Sequence, residues 1–215
     1  MNAAQDLIET AIAMNASGLN HGSAGNLSVR AGDGVLLTPS GVDYTTMTEK
    51  EVVRMTMDGN WSCDNRNMKP TSEWRFHLDI MAAREDVGAV VHVHSPFATA
   101  LACLRRGIPA FNYMVAVAGG NRIDCADYAT FGSAELSENV MQALDGRLAC
   151  LMANHGLITC GRDLPHALAV AVEVEQLAAQ YMRVLQVGEP IILDDEEMDR
   201  VLEKFAAGYG YGSSD

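Results

Sequence analysis

Lysine is scarce in this 215-residue chain: Lys50, Lys69 and Lys204 are the whole complement. Each sits among polar neighbours, so none is placed in the apolar pocket that a Schiff-base nucleophile needs. Basic residues as a group are few, 15 Lys and Arg against 28 Asp and Glu. The resulting net charge of −13 excludes a protein that tracks nucleic-acid phosphates with a basic face. It leaves room for a small phosphorylated molecule, which needs only a few local donors. The five cysteines are odd in number and scattered, with no Cys-x-x-Cys pair, so a disulfide framework is not expected and a reducing, cytoplasmic setting is. No long apolar run is present. The stretch from Leu164 to Leu185 is broken by Glu173, Glu175, Gln176 and Arg183 and is too polar for a membrane span. The first residues, Met1 to Glu9, lack the basic and apolar regions of a signal peptide. There is no Pro- or Ser-rich linker, no internal repeat, no P-loop and no dinucleotide fingerprint. What remains, 48% hydrophobic and 20% charged, suits one domain over residues 1–215 with a sizeable core. The Gly- and Ser-rich end, residues 206–215, reads as a mobile tail.

The spacing of apolar residues predicts helices over 3–17, from just after Pro70-Thr71-Ser72 to about Arg84, from Ser95-Pro96 to about Gly107, from Ser133 to about Leu144, over 164–187 and over 194–205. Ser95 is the expected cap of the third, with Pro96 in its first turn. Strands are expected at 26–30, 35–38, 52–57, 88–94, 149–153 and 157–160. Helices and strands alternate without a regular βαβ rhythm. That pattern predicts a layered α/β domain with a mixed or antiparallel sheet rather than a doubly wound one.

Within the apolar run Gly88 to Ser95 stands His92-Val93-His94. In an extended strand residues i and i+2 face one side, so the two imidazoles project together while Val91 and Val93 face the other way. Burying two unpaired imidazoles is costly, and a shared metal ion removes the cost. Glu73 and His155 are the candidate partners, with His77, one helical turn beyond Glu73, as a rival ligand or a neighbour of the site. His and Glu donors suit zinc in an open, catalytic site, and Mn2+ or Co2+ accept the same set. Thr71 and Ser72 fall where a helix is expected to begin. Free N–H groups and the positive end of the helix dipole make such a place a natural anion site. The loops Gly22 to Ser28 and Thr38-Pro39-Ser40-Gly41 add further backbone and hydroxyl donors.

Taken in order, Gly25-Asn26-Leu27-Ser28, Thr38-Pro39-Ser40-Gly41, Thr71-Ser72-Glu73-Trp74-Arg75-Phe76-His77, His92-Val93-His94 and Asn154-His155-Gly156-Leu157 resemble the class II aldolase/adducin family. Tyr113-Met114, Ala118-Gly119-Gly120-Asn121, Tyr128 to Gly132, Glu135 to Glu138 and Leu202 to Phe205 extend the resemblance nearly end to end. It implies a single three-layer α/β/α domain. It also implies zinc on His92, His94 and His155, with Glu73 as fourth ligand or nearby base. Phosphate would be held by Asn26, Ser40, Gly41, Thr71 and Ser72, with Ser23 nearby. A C4-type homotetramer would place active sites between subunits, with Tyr113 and Phe131 entering from a neighbouring chain and Tyr209 of the tail closing over the site. The tail departs from the family pattern, and Tyr211 competes for that place.

The activity so implied is metal-dependent cleavage of a ketose 1-phosphate, of the L-fuculose 1-phosphate kind, to dihydroxyacetone phosphate and an aldehyde such as lactaldehyde. Relatives that act on 5-deoxyribulose or 5-methylthioribulose 1-phosphate, or that are pentulose-phosphate epimerases or dehydratases, share the same histidines. Adducin heads use the fold as a scaffold, and the intact metal-ligand set speaks against that role here.

Overall fold

The computed structural model describes residues 2–208. Its elements run α1 Ala3–Ala16, β1 Asn26–Ala31, β2 Gly34–Leu37, β3 Val53–Thr56, β4 Trp61–Ser62, α2 Trp74–Ala83 and β5 Ala89–Val93. They continue with α3 Pro96–Cys103, β6 Cys125–Ala126, α4 Ala134–Ala143, β7 Ala149–Met152, β8 Gly156–Gly161, α5 Leu164–Val187 and α6 Asp195–Ala206. Two 3-10 segments, Glu49–Glu51 and Tyr113–Ala118, lie between them.

All eight strands form one sheet in the order β4-β3-β2-β1-β5-β8-β7-β6. Every neighbouring pair is antiparallel except β6 and β7. Side chains alternate across the pleat, so each strand feeds two cores. Ala89, Val91 and Val93 join Leu27, Leu151 and Leu157 under α1, α3 and α5. Val90 joins Val35, Leu37, Cys150 and Ile158 under α2 and α4. The result is the expected three-layer α/β/α arrangement around a mostly antiparallel sheet.

Register decides where the chemistry falls. Asn26, the first residue of β1, pairs with His92 of β5, and His92 pairs in turn with Ile158 of β8. The same end of the three central strands therefore carries Asn26, His92, His94 and the β7–β8 turn that contains His155. That turn is a tight hairpin in which Asn154 takes a positive φ of 54°, a conformation Asn tolerates better than most residues.

α2 starts at Trp74, so Thr71 and Ser72 precede it as expected, with Glu73 at the N-cap. Two expectations for α3 are corrected. Ser95 does not cap α3 with its side chain. Instead the carboxylate of Glu175, on α5, accepts from Phe97 N and Ala98 N at 2.9 Å each. α3 also stops at Cys103 instead of reaching Gly107. Arg105 turns left-handed, and Arg105 N and Arg106 N bond back to Ala102 O and Leu101 O.

Candidate metal centre

Four side chains, Glu73, His92, His94 and His155, bring one ligand atom each to within 4.8 Å of one another. His92 Nε2 lies 3.0 Å from His94 Nε2 and 3.2 Å from Glu73 Oε2, and His155 Nε2 lies 3.2 Å from Glu73 Oε1. Donors held about 2.0–2.2 Å from a tetrahedral ion sit roughly 3.3–3.6 Å apart. The spacing is thus close to that of a ligand shell.

Two further features fit a cation there. His92 Nδ1 donates to the Leu157 carbonyl at 3.0 Å, which leaves its Nε2 as a lone pair aimed at the cluster. Glu73 Oε1 is buried and makes no hydrogen bond, an expensive arrangement for a carboxylate oxygen unless a positive charge faces it. Although Glu73 occupies the N-cap of α2, its side chain does not bond the helix. The carboxylate is turned into the site instead.

Burial is the main cause that pushes His94 and His155 down to about 4. Both imidazoles are therefore neutral at pH 7 and ready as ligands. Burial alone would raise the Glu73 carboxyl, but His92, His155 and the Asn26 amide outweigh it and hold Glu73 well below the usual carboxylate range. His77 is fully buried, and burial pushes it down to about 3. It bonds Ser28 Oγ and Asn26 Oδ1, so it is a neighbour of the site and not one of its four ligands.

Small residues let the imidazoles converge. A Cβ on Gly156 would stand 2.5 Å from Val93 O and 2.9 Å from His94 Cδ2. The hairpin is also propped from α3: Asn154 N donates to Ala102 O at 2.9 Å, and Arg105 Nε donates to Asn154 Oδ1 at 3.2 Å. His94 is held by its own backbone, whose N–H donates to Asn20 Oδ1 at 2.7 Å. Nothing in sequence spacing marks Asn20 or Arg105 for these tasks.

Beside the cluster opens a cleft of about 410 Å³. Ser23, Asn26, Ser40, Gly41, Thr71 and Ser72 line it together with Glu73, His94 and His155. Its loops are stitched together: Ser40 N donates to Lys69 O at 3.0 Å and Thr71 N to Thr38 O at 3.2 Å. No Lys or Arg lines the cleft among the described residues, so an anion there would meet N–H, amide and hydroxyl donors next to the N-terminus of α2.

Phe131 lines the cleft of its own chain, 65% exposed, with Tyr128 and Ala129 beside it. This differs from the implied entry from a neighbour. Gly132 makes it possible, because its Cβ position lies 2.7 Å from Ser72 O and only a glycine lets the two turns lie so close. Tyr113 stands elsewhere. It lines a separate groove with Phe111, Leu193, Lys204 and Phe205. Tyr209 and its competitor Tyr211 lie outside the described residues.

Residues 5–182 match the family model of the class II aldolase and adducin N-terminal domain. A 5-methylthioribulose-1-phosphate/5-deoxyribulose-1-phosphate aldolase of Rhodospirillum rubrum is 57% identical over 93% of this chain and 89% of its own length. An L-fuculose phosphate aldolase of Escherichia coli is 49% identical over 94% of this chain and 93% of its own. A solved L-fuculose 1-phosphate aldolase superposes with a TM-score of 0.92, 39% identical and covering 95% of this chain and 96% of that one. The chain belongs to the class II aldolase/adducin family, as its motifs imply. Within that family it is an enzyme of the aldolase kind, an aldehyde-lyase, with a Glu/His cluster able to hold the divalent metal such enzymes use.

Proposed function

We propose that this enzyme cleaves a ketose 1-phosphate between C3 and C4, giving dihydroxyacetone phosphate and a short aldehyde. One observation carries the reading. The buried, unbonded Glu73 oxygen stands among three imidazoles at the wall of a cleft whose remaining polar lining is neutral donors. The first pairs a cation with a carboxylate that can move a proton, and the second holds a phosphate in register beside them.

In this reading His92, His94 and His155 hold the metal, for which we propose zinc, with Glu73 as fourth ligand or adjacent base. Once bound, the ion supplies Lewis-acid stabilisation of the negative charge that develops on the sugar's C2 oxygen. Asn26, Ser40, Gly41, Thr71 and Ser72, with Ser23 nearby, donate to the phosphate. As the C3–C4 bond breaks, its electron pair stays with the C3 side and the C4 hydroxyl passes its proton by way of Tyr113 to solvent. Glu73, a carboxylate in the free site, takes up a proton from solvent and delivers it to the former C3. Tyr113 is assigned to the C4 oxygen. Its position in a groove apart from its own chain's cleft fits supply by a neighbouring chain, and on the family resemblance we propose a homotetramer of C4 type. Tyr209 is assigned to closing the site. Residues 1–215 form one domain in this reading, with 206–215 as its tail, and the enzyme works in the cytoplasm.

For the substrate's far end we propose an apolar terminus. Ala129, Phe131 and the ring of Tyr128 line the cleft, a surface suited to a methyl or methylthio group. We take 5-methylthioribulose and 5-deoxyribulose 1-phosphates as the first reading, supported by the name of the 57% identical relative, and L-fuculose 1-phosphate as the second, supported by that of the 49% identical one. The test is release of dihydroxyacetone phosphate from these three, with ribulose 1-phosphate as the polar-ended control and rhamnulose 1-phosphate as the stereochemical one. Faster release from one or more of the three than from either control is expected. Release from none would remove the aldolase reading of this site in favour of an epimerase or dehydratase.

A further inference from the structure

A buried polar chain reaches Glu73 from the sheet, and its hydrogen positions can be assigned one after another. Asn26 Nδ2 lies 3.0 Å from Glu73 Oε2. A carboxylate only accepts, so the amide nitrogen donates and the amide oxygen is turned to His77. His77 Nε2 lies 2.5 Å from that Oδ1, and a carbonyl oxygen also only accepts, so Nε2 carries the hydrogen. In a neutral imidazole the other nitrogen is then an acceptor. Ser28 Oγ, 2.8 Å from Nδ1, donates to it.

Solvent does not compete for these contacts. Ser28 and His77 are 0% exposed and Asn26 5%. Asn26 nevertheless borders the cleft. Its NH2 group has a second hydrogen that Glu73 does not use. The two ends of an amide are nearly the same shape, so packing does not choose between its two orientations and hydrogen bonding must. Turned over, Asn26 would set its oxygen against the Glu73 carboxylate and against any anion in the cleft.

We propose that Ser28 and His77 are positioning residues that lock the Asn26 amide with its NH2 group toward Glu73 and the cleft, so that one side chain steadies the carboxylate and donates to the substrate's phosphate together. This rests on the reading of Asn26 as a phosphate donor given above. The Asn26 oxygen sets the His77 tautomer, and Ser28 holds the ring in place by donating to its Nδ1. Without that hydroxyl the buried Nδ1 has no partner, and the ring's hold on the amide oxygen loosens.

The probe is inorganic phosphate, titrated by calorimetry into the metal-loaded protein, alongside kcat and KM for dihydroxyacetone phosphate release. His77→Leu is expected to keep the metal stoichiometry while weakening phosphate binding about tenfold or more, whereas His77→Gln should return it to within about threefold, the scale set by one hydrogen bond to a charged group. The glutamine restores an N–H donor near the imidazole Nε2. Ser28→Ala should weaken phosphate binding in the wild-type background and leave it unchanged in the His77→Gln background, because a glutamine has no Nδ1 for the hydroxyl to hold. Equal losses for the leucine and glutamine variants, or equal effects of Ser28→Ala in both backgrounds, would overturn the lock. Wild-type phosphate affinity in His77→Leu, or no phosphate binding by wild type, would do the same. If His77→Leu does not fold, the Ser28→Ala comparison in the two backgrounds decides. Phosphate affinities that follow the expected pattern in a protein that cleaves no ketose 1-phosphate would uphold the lock and reject the aldolase reading.

Discussion

Glu73 is the residue on which most of the proposed chemistry converges. It sits where a helix cap belongs, yet its carboxylate faces His92 and His155 at 3.2 Å and leaves the helix uncapped. A residue placed for stability alone would bond the free N–H groups of α2. Glu73→Gln should therefore keep the fold and lower kcat by roughly 10²–10⁴-fold, the range of a lost general acid or base. Unchanged turnover would remove Glu73 from that role. Gly156 bears on the same centre through space rather than charge. Gly156→Ala sets a methyl 2.5 Å from Val93 O, so bound metal per chain should fall while secondary structure persists, as metal analysis and circular dichroism would show. The imidazoles also fix a pH dependence. His94 and His155 are lowered to about 4 and His77 to about 3, whereas an unfolded chain takes up those protons near pH 6.5. Stability from these groups is thus full above about pH 6.5 and is lost as pH falls toward 4, because the unfolded state binds protons first. Melting of metal-free protein at pH 7.5, 6 and 4.5 should show that decline; a flat melting temperature would contradict it.

Elements whose signals are local were legible in the sequence. The helix Leu164–Val187 has the expected limits, and Ser133 caps α4 through Leu136 N at 3.1 Å. The two-residue strands β4 and β6 and the 3-10 segment Tyr113–Ala118 were not, because two or six residues are too few to display a period. The Ser95 cap failed for a different reason. Its place is taken by Glu175, distant in sequence and brought in only by packing of α5 on α3. In the site, His92 and His94 followed from strand alternation, since one apolar strand fixes the direction of both. The Asn20 bond to the His94 backbone and the Arg105–Asn154 prop depend on loops meeting, which no spacing reveals. Glu175 makes an element-scale prediction. Glu175→Ala leaves two N–H groups at the start of α3 unpaired and should cost about 2–3 kcal/mol, seen as a fall in Tm of several degrees. A change within error would mean that water caps this helix as well as the carboxylate does.

For the whole molecule the distinctive point is how an acidic chain, net −13, would hold the proposed phosphate. Its cleft offers neutral donors beside one helix terminus and a cluster suited to a cation, and no basic side chain among the described residues. The same end of the sheet carries both because β1, β5 and β8 are neighbours in one register. Tyr113, in a groove apart from this cleft, leads to an assembly-level prediction. Glu73→Gln and Tyr113→Phe chains, each inactive alone, should recover activity when mixed and reassembled, because some sites then draw both residues from intact partners. No recovery, in mixtures shown to exchange subunits, would place Tyr113 in the site of its own chain or outside catalysis. The most direct measurement of all is dihydroxyacetone phosphate release by protein stripped of metal and then reconstituted. Cleavage should disappear on stripping and return with about one equivalent of zinc per chain, as expected of a single four-ligand site. Full-rate cleavage by thoroughly demetallated protein would contradict a metal-dependent aldolase built on Glu73, His92, His94 and His155.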